Sequence, residues 1–149
     1  MIINSSTVYL ARPGGRIGYD ISGEGPLVIL VPGMGDLRTA YRFLAPALRE
    51  ARYRVACTDL RGHGASDATF ASYGDVETAG DVIALIEELK EPAVVLGNSM
   101  GAGAAAFGAG LSRTMLATYL PAFFAAGALC IIAALMTLSI SRAPKPVAA

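Results

Sequence analysis

The stretch AVVLGNSMG at residues 93–101 decides the fold, because an apolar run passes directly into a serine flanked by glycines. Residues 27–31 (LVILV) and 53–58 (YRVACT) are apolar runs of the same kind. Such runs are typical of parallel strands that are covered on both faces. Segments with helical spacing of apolar residues separate them, at 44–51 and 79–89. The alternation predicts an α/β fold with a parallel sheet and right-handed crossovers.

Before residue 27, where the first apolar run in chain order begins, the sequence has the pattern of a β-hairpin. Residues 7–11 and 16–22 have the composition of short strands, and the turn residues Pro13, Gly14 and Gly15 separate them. Further along, Asp75 is predicted to be the N-cap of the second helix. The predicted architecture is therefore an incomplete parallel sheet with an N-terminal hairpin.

The loops that follow the strands are the natural place for a functional site, because ligands bind beyond the carboxyl ends of strands in sheets of this type. Ser99 follows the strand predicted at 93–96, and Gly97 and Gly101 flank it. A glycine on each side relieves crowding at a strained strand-to-helix turn, which exposes the serine hydroxyl. This pattern predicts a nucleophile elbow.

Residues 16–106 resemble the α/β-hydrolase fold family through three motifs in the same order. Residues 33–36 are similar to its oxyanion-hole loop, 59–66 resemble its D-x-R-G-H-G-x-S turn, and 97–101 resemble its elbow. The resemblance implies hydrolysis of an ester or similar acyl bond. It also implies that Ser99 is the nucleophile and that the backbone N–H groups of Met34 and Met100 stabilise the oxyanion.

The remaining motif residues are assigned structural roles by the same resemblance. They are Gly33, Gly35, Asp59, Arg61, Gly62, His63, Gly64, Ser66, Gly97 and Gly101. Asp59, Arg61 and Asp67 are predicted to hold their turn through local hydrogen bonds. His63 is the only imidazole and occupies the family's structural position, with a general-base role as the alternative. The loop at 33–36 has its own simpler alternative, a tight strand-to-helix turn.

The catalytic triad of the family is incomplete in this sequence. The family's order is serine, then an acid, then histidine, yet no Asp, Glu or His follows Ser99. Without a general base a serine hydroxyl is a poor nucleophile, so impaired or absent turnover is expected. The alternative is a non-catalytic single-span membrane protein, or a fusion or truncation product.

The C-terminal segment differs in kind from the rest. All twelve acidic residues precede position 113, and residues 114–141 carry no charge. At about 1.5 Å per residue, 122–140 would cover about 28 Å, close to the thickness of a bilayer core. This predicts a transmembrane helix, and the segment looks like the last helix of a major facilitator drug-efflux transporter. The alternative is a buried helix that covers the open edge of the sheet.

The predicted organisation is a partial hydrolase domain (1–106), a junction (107–113), the transmembrane-like helix (114–141) and a disordered tail (142–149). The location predicted from it is the membrane, with a cytoplasmic N-terminal part, and a wholly cytoplasmic protein is the alternative.

Composition excludes several other classes. Twelve basic residues balance twelve acidic ones without a basic cluster, so no nucleic-acid partner is expected. No CxxC motif or Cys/His cluster is present, and a lone His cannot supply the three or four ligands of a zinc site, so no metal or other cofactor is predicted. Cys57 and Cys130 are expected to be buried thiols. The predicted partners are a small acyl or ester substrate and, through 114–141, the membrane; no oligomeric partner is identified.

Overall fold

A strand that is buried on both faces organises the structure. The computed structural model describes residues 6–106. In chain order the elements are β1 (Val8–Arg12), β2 (Gly15–Ser22), β3 (Leu27–Val31), a 3₁₀ helix (Arg38–Tyr41), α1 (Leu44–Glu50), β4 (Arg54–Thr58), α2 (Asp75–Leu89) and β5 (Ala93–Gly97). Residues 100–106 are helical and are called the elbow helix below.

The five strands form one mixed sheet in the order β1-β2-β4-β3-β5. β3 lies between β4 and β5 and is parallel to both. All five residues of β3 are buried, as its unbroken apolar sequence predicts. The carboxyl ends of these three strands therefore meet at one edge of the sheet, where the loops that carry the sequence motifs begin.

The N-terminal hairpin is present and makes the sheet mixed. β1 and β2 are antiparallel, with Arg12 opposite Gly15 across the turn. β2 then pairs with β4, also antiparallel. The prediction of a parallel sheet with a hairpin is thus confirmed for the strands that surround β3, while the hairpin extends the sheet in antiparallel orientation.

Apolar side chains pack on both faces of the sheet. On one face, α2 packs through Val82 and Leu85 against Ile29 and Val31 of β3 and against the hairpin. On the other face, α1 contributes Ala45, which packs with Val28 and Leu30 of β3, Val55 and Cys57. Successive side chains of a strand point to opposite faces, so β3 supplies both clusters.

The prediction that Asp75 is the N-cap of α2 is wrong. The N-cap is Gly74, and Asp75 is the first residue of the helix. The Thr78 hydroxyl donates a hydrogen bond to the Gly74 carbonyl at 2.8 Å. Asp75 and Glu77 still place negative charge in the first turn, where it interacts favourably with the helix dipole.

The predicted helix at 114–141 and Cys130 lie outside the described residues. Within 6–106, no helix combines the length and apolar character that a membrane span requires. Cys57 is buried and unpaired, as predicted.

We expect the Cys57 thiol to resist alkylation in the folded chain. Burial, and next the nearby Asp20 carboxylate, raise the pKa of Cys57 from 9.0 to about 12, and the thiolate is the reactive form. Iodoacetamide at pH 8 should modify Cys57 only after unfolding in urea, as measured by peptide mass spectrometry. Rapid modification of the folded chain would contradict this.

The same pKa difference predicts how stability depends on pH. The unfolded chain loses the Cys57 proton near pH 9, before the folded chain does. Above that pH the unfolded state binds fewer protons, so the free energy of unfolding should fall as the pH rises from 9 toward 12. Urea titrations at pH 8 and pH 10 on wild type and Cys57→Ala measure the difference. An equal fall in both proteins would assign the effect to other groups.

Candidate active site

Ser99 lies on a strained turn between β5 and the elbow helix. Its φ is +51°, a left-handed conformation that non-glycine residues rarely adopt, and the residue is exposed. The Asn98 N–H donates to the Val31 carbonyl at 3.1 Å, which ties the turn to the end of β3. The serine is therefore presented at the sheet edge, as the sequence pattern predicts for an elbow.

The two flanking glycines permit this turn because the backbone closes on itself there. A Cβ atom at Gly97 would overlap the carbonyl group of Gly101, and one at Gly101 would overlap the carbonyl of Val31. Neither position accepts any side chain without a backbone shift. The glycines thus allow the elbow helix to approach β3 closely, directly after Ser99.

The loop after β3 lies against the serine. A methyl group built on Gly33 would be 3.1 Å from Cβ of Ser99 and 3.3 Å from the Asn98 carbonyl oxygen. The Asp36 N–H donates to the Gly33 carbonyl at 3.1 Å, so residues 33–36 form a tight turn. The structure thus brings together the loop and the elbow that the sequence analysis assigned to one site.

Two backbone N–H groups of the 33–36 loop and the elbow have no acceptor among the residues that the structure describes. Among the hydrogen bonds of residues 6–106, the Met34 N–H has no acceptor. Met100 is the first residue of the elbow helix, and the first N–H groups of a helix lack intrahelical acceptors. The next N–H groups, of Gly101 and Ala102, bond to the carbonyls of Asn98 and Ser99. Met34 and Met100 are the residues predicted to form the oxyanion hole.

The turn after β4 is organised by the buried carboxylate of Asp59. Its Oδ1 accepts the Arg38 N–H at 2.8 Å, and its Oδ2 accepts the Arg38 Nη1–H at 2.9 Å and the Ala65 N–H at 3.0 Å. The Ser66 hydroxyl donates to the Asp59 carbonyl and accepts the Gly18 N–H. A Cβ atom at Gly64 would overlap the Asp59 carboxylate. The motif residues Asp59, Gly64 and Ser66 therefore form one packed unit.

The prediction that these turn residues bond locally holds only in part. The Arg61 side chain bonds outside the turn. It donates two hydrogen bonds to Asp81 on α2, at 2.7 and 2.9 Å. These bonds raise the pKa of Arg61. Arg12 on β1 also bonds to Asp81 at 2.8 Å. The sequence did not predict a role for Asp81. Its one distinguishing feature in the sequence is that it is an acidic residue between apolar positions of α2. Gly62 has a φ of +71°, as a tight turn requires.

His63 has both ring nitrogens engaged. Nδ1 lies 2.8 Å from the Arg61 carbonyl oxygen, and Nε2 accepts the Gly35 N–H at 3.1 Å. A base for Ser99 would need a free nitrogen lone pair. This geometry favours the structural role assigned to His63 over the alternative of a general base.

Among the described residues, the hydrogen bonds show no general base or acid that contacts the Ser99 hydroxyl. The Ser99 hydroxyl is hydrogen-bonded to no side chain of residues 6–106. Those residues also contain no group of three or more His, Cys, Asp or Glu side chains placed to hold a metal ion.

Comparison with known proteins identifies the family. The model of the "Alpha/beta hydrolase family" matches residues 28–148. The chain therefore belongs to the alpha/beta hydrolase family. The match includes residues 114–141, and no comparison supports the predicted resemblance of that segment to a transporter helix.

Several relatives are named as epoxide hydrolases. The epoxide hydrolase of Caballeronia sordidicola is 36% identical over 103 residues, which are 60% of this chain and 31% of that protein. The magnesium-chelatase 30 kDa subunit of Rhodobacter capsulatus is 39% identical over 80 residues, 52% of this chain and 28% of that protein. The chain thus spans about a third or less of the length of these curated relatives.

Solved structures agree with the sequence comparison. An epoxide hydrolase variant from Vigna radiata superposes with a TM-score of 0.67 and 28% identity, over 72% of this chain and 35% of that one. Epoxide hydrolase A from Mycobacterium thermoresistibile gives a TM-score of 0.65 and 30% identity, over 71% and 35%.

We expect Gly97→Ala and Gly101→Ala each to lower the free energy of unfolding by at least about 2 kcal/mol, because the added methyl overlaps backbone atoms. Gly80→Ala in α2 is the matched control. Its methyl would meet only Arg12 Nη2, at 3.7 Å, and alanine favours a helix over glycine by about 1 kcal/mol. Urea denaturation measures all three. Wild-type stability of either elbow variant would contradict the close approach.

Proposed function

We propose that the chain forms the nucleophile-bearing part of a serine hydrolase that acts on small esters or related acyl compounds. The observation that carries the proposal is Ser99 itself, exposed at φ +51° with the 33–36 loop packed against it. A nucleophile needs an exposed hydroxyl, and its transition state needs hydrogen-bond donors nearby. The exposure of Ser99 and the contact of the 33–36 loop with it support the proposal.

In the proposed reaction the Ser99 Oγ attacks the carbonyl carbon of the substrate. The hydroxyl proton passes to a water molecule, and the carbonyl oxygen gains negative charge next to the N–H groups of Met34 and Met100. Collapse of this intermediate breaks the bond to the leaving alkoxide, which takes a proton from water and departs as the alcohol. The acyl group remains as an ester on Ser99, and a second water molecule cleaves it to release the acid and restore the hydroxyl. Removal of one oxyanion donor in enzymes of this type costs about 10²–10³ in rate.

Epoxide opening is the second candidate, because relatives carry that name. The chemistry of serine argues against it. An alkoxide that attacks an epoxide carbon forms an ether, which water does not cleave under mild conditions, whereas attack on an acyl group forms a cleavable ester. Ser99 therefore supports acyl transfer more than epoxide hydrolysis.

The rate is expected to be low for residues 1–149 alone. Residues 100–149 contain no Asp, Glu or His, and loss of triad members leaves only about 10³–10⁴ over the reaction in water. We therefore expect slow acylation of Ser99, with slow release of the acyl group.

A fluorophosphonate probe tests the nucleophile. The full 149-residue chain should be labelled at Ser99, and Ser99→Ala should abolish the labelling. Ser72→Ala is the matched control, since Ser72 is also exposed, and it should leave labelling unchanged. Circular dichroism confirms that each variant is folded. Absence of labelling in folded wild type would overturn the proposal in favour of the non-catalytic alternative.

Two substrates separate the reaction classes. p-Nitrophenyl acetate should give an adduct on Ser99 that hydroxylamine removes, because hydroxylamine cleaves esters and leaves ethers intact. Styrene oxide should give no diol product. Formation of the diol by wild type and its loss in Ser99→Ala would instead establish epoxide hydrolysis as the function. Mass spectrometry of the intact chain and of the products measures both outcomes.

A further inference from the structure

The loop after β3 is held at two points by the turn after β4. The Gly35 N–H donates to Nε2 of His63 at 3.1 Å, and the Arg38 N–H donates to Oδ1 of Asp59 at 2.8 Å. The two acceptors belong to the same packed turn, residues 59–66. The position of the loop against Ser99 therefore depends on side chains that do not themselves adjoin the serine in sequence.

The two contacts of His63 are compatible with one tautomer of its ring. The Arg61 carbonyl can only accept, so Nδ1, which lies 2.8 Å from it, carries the hydrogen. The Gly35 N–H can only donate, so Nε2 carries the lone pair. Both contacts fit the tautomer that has its hydrogen on Nδ1.

This arrangement determines which loop N–H faces a ligand. In the 33–36 turn, Gly35 has a φ of +86°, the value that the third residue of a type II turn adopts. Its N–H is occupied by His63. The preceding N–H, of Met34, has no acceptor within residues 6–106, and it belongs to the turn whose Gly33 packs on Ser99.

We infer that His63 is a positioning residue for the oxyanion hole: its Nε2 holds the Gly35 amide, which keeps the Met34 N–H directed to the oxyanion formed at Ser99. The inference rests on the proposed function, and it assigns His63 a role as hydrogen-bond acceptor rather than as base. Rotation of the ring toward the serine would break both of its hydrogen bonds.

Two amide substitutions separate the two nitrogens. His63→Gln places an acceptor where Nε2 lies, so it can keep the Gly35 bond. His63→Asn is shorter and places a donor where Nδ1 lies, so it can keep the Arg61 bond but cannot reach Gly35. A role confined to holding the 59–66 turn predicts that His63→Asn is the milder substitution. The positioning role predicts that His63→Gln is the milder one.

The first readout is the rate of inactivation by a fluorophosphonate, separated into its binding constant and its maximal rate. We expect His63→Asn to lower the maximal rate by about 10–100-fold with little change in binding, because only the charged transition state uses the N–H groups. His63→Gln should recover most of that rate. Arg16→Ala, which removes an exposed ion pair with Asp67 in the adjoining segment, is the matched control and should react as wild type does. Equal rates for His63→Asn and wild type, or a faster rate for His63→Asn than for His63→Gln, would overturn the inference.

The second readout does not require activity. Amide hydrogen exchange of Gly35, followed by NMR, should be about tenfold faster in His63→Asn than in wild type and close to wild type in His63→Gln. The Asn98 amide, bonded to Val31, is the internal reference. If wild type is not labelled at all, the proposed function fails, and this measurement alone decides whether His63 holds the loop. Unchanged Gly35 exchange in His63→Asn overturns the inference in either case.

Discussion

The carbonyl group of Val31, at the end of the central strand, is the point on which the arrangement of the site depends. It accepts the Asn98 N–H at 3.1 Å and the Tyr41 hydroxyl at 2.7 Å. Burial raises the pKa of Tyr41 to about 12, which keeps this hydroxyl a donor. The same carbonyl occupies the space that a side chain at Gly101 would need. This one backbone oxygen thus connects β3 to the 3₁₀ helix through Tyr41 and to the elbow through Asn98.

A buried ion pair connects the loop after β3 to the turn after β4. Asp59 is 2% exposed and Arg38 bonds to it through both backbone and side chain. Removing one partner of a buried pair leaves the other charge uncompensated, at a cost of about 3–5 kcal/mol. The pair therefore couples the turn after β4 to the loop after β3. His63 adds a second link between the same two segments, because its Nε2 accepts the Gly35 N–H at 3.1 Å.

Much of the fold was predictable because its signals are local. The strands follow from unbroken apolar runs, the hairpin from Pro13 and Gly14, and the elbow from glycines two residues on either side of Ser99. Local patterns failed where a neighbouring element decided the outcome. Aspartate is a preferred N-cap residue, but the N-cap of α2 is Gly74 and the helix begins at Asp75. Cβ of an alanine at Gly103 would lie 2.9 Å from the Asp75 carboxylate, so the elbow helix packs at this position.

By itself the sequence determined that the chain is an α/β protein with Ser99, its predicted nucleophile, after the third parallel strand, because strand period and glycine placement are properties of neighbouring residues. It also determined that no acid or imidazole follows Ser99. Only the tertiary structure decided the partners of the polar motif residues. Arg38 reaches Asp59, Gly35 reaches His63, and Arg12 reaches Asp81 across 21, 28 and 69 positions of the chain. Hydrogen bonds over such separations exist only once the sheet has brought its loops together.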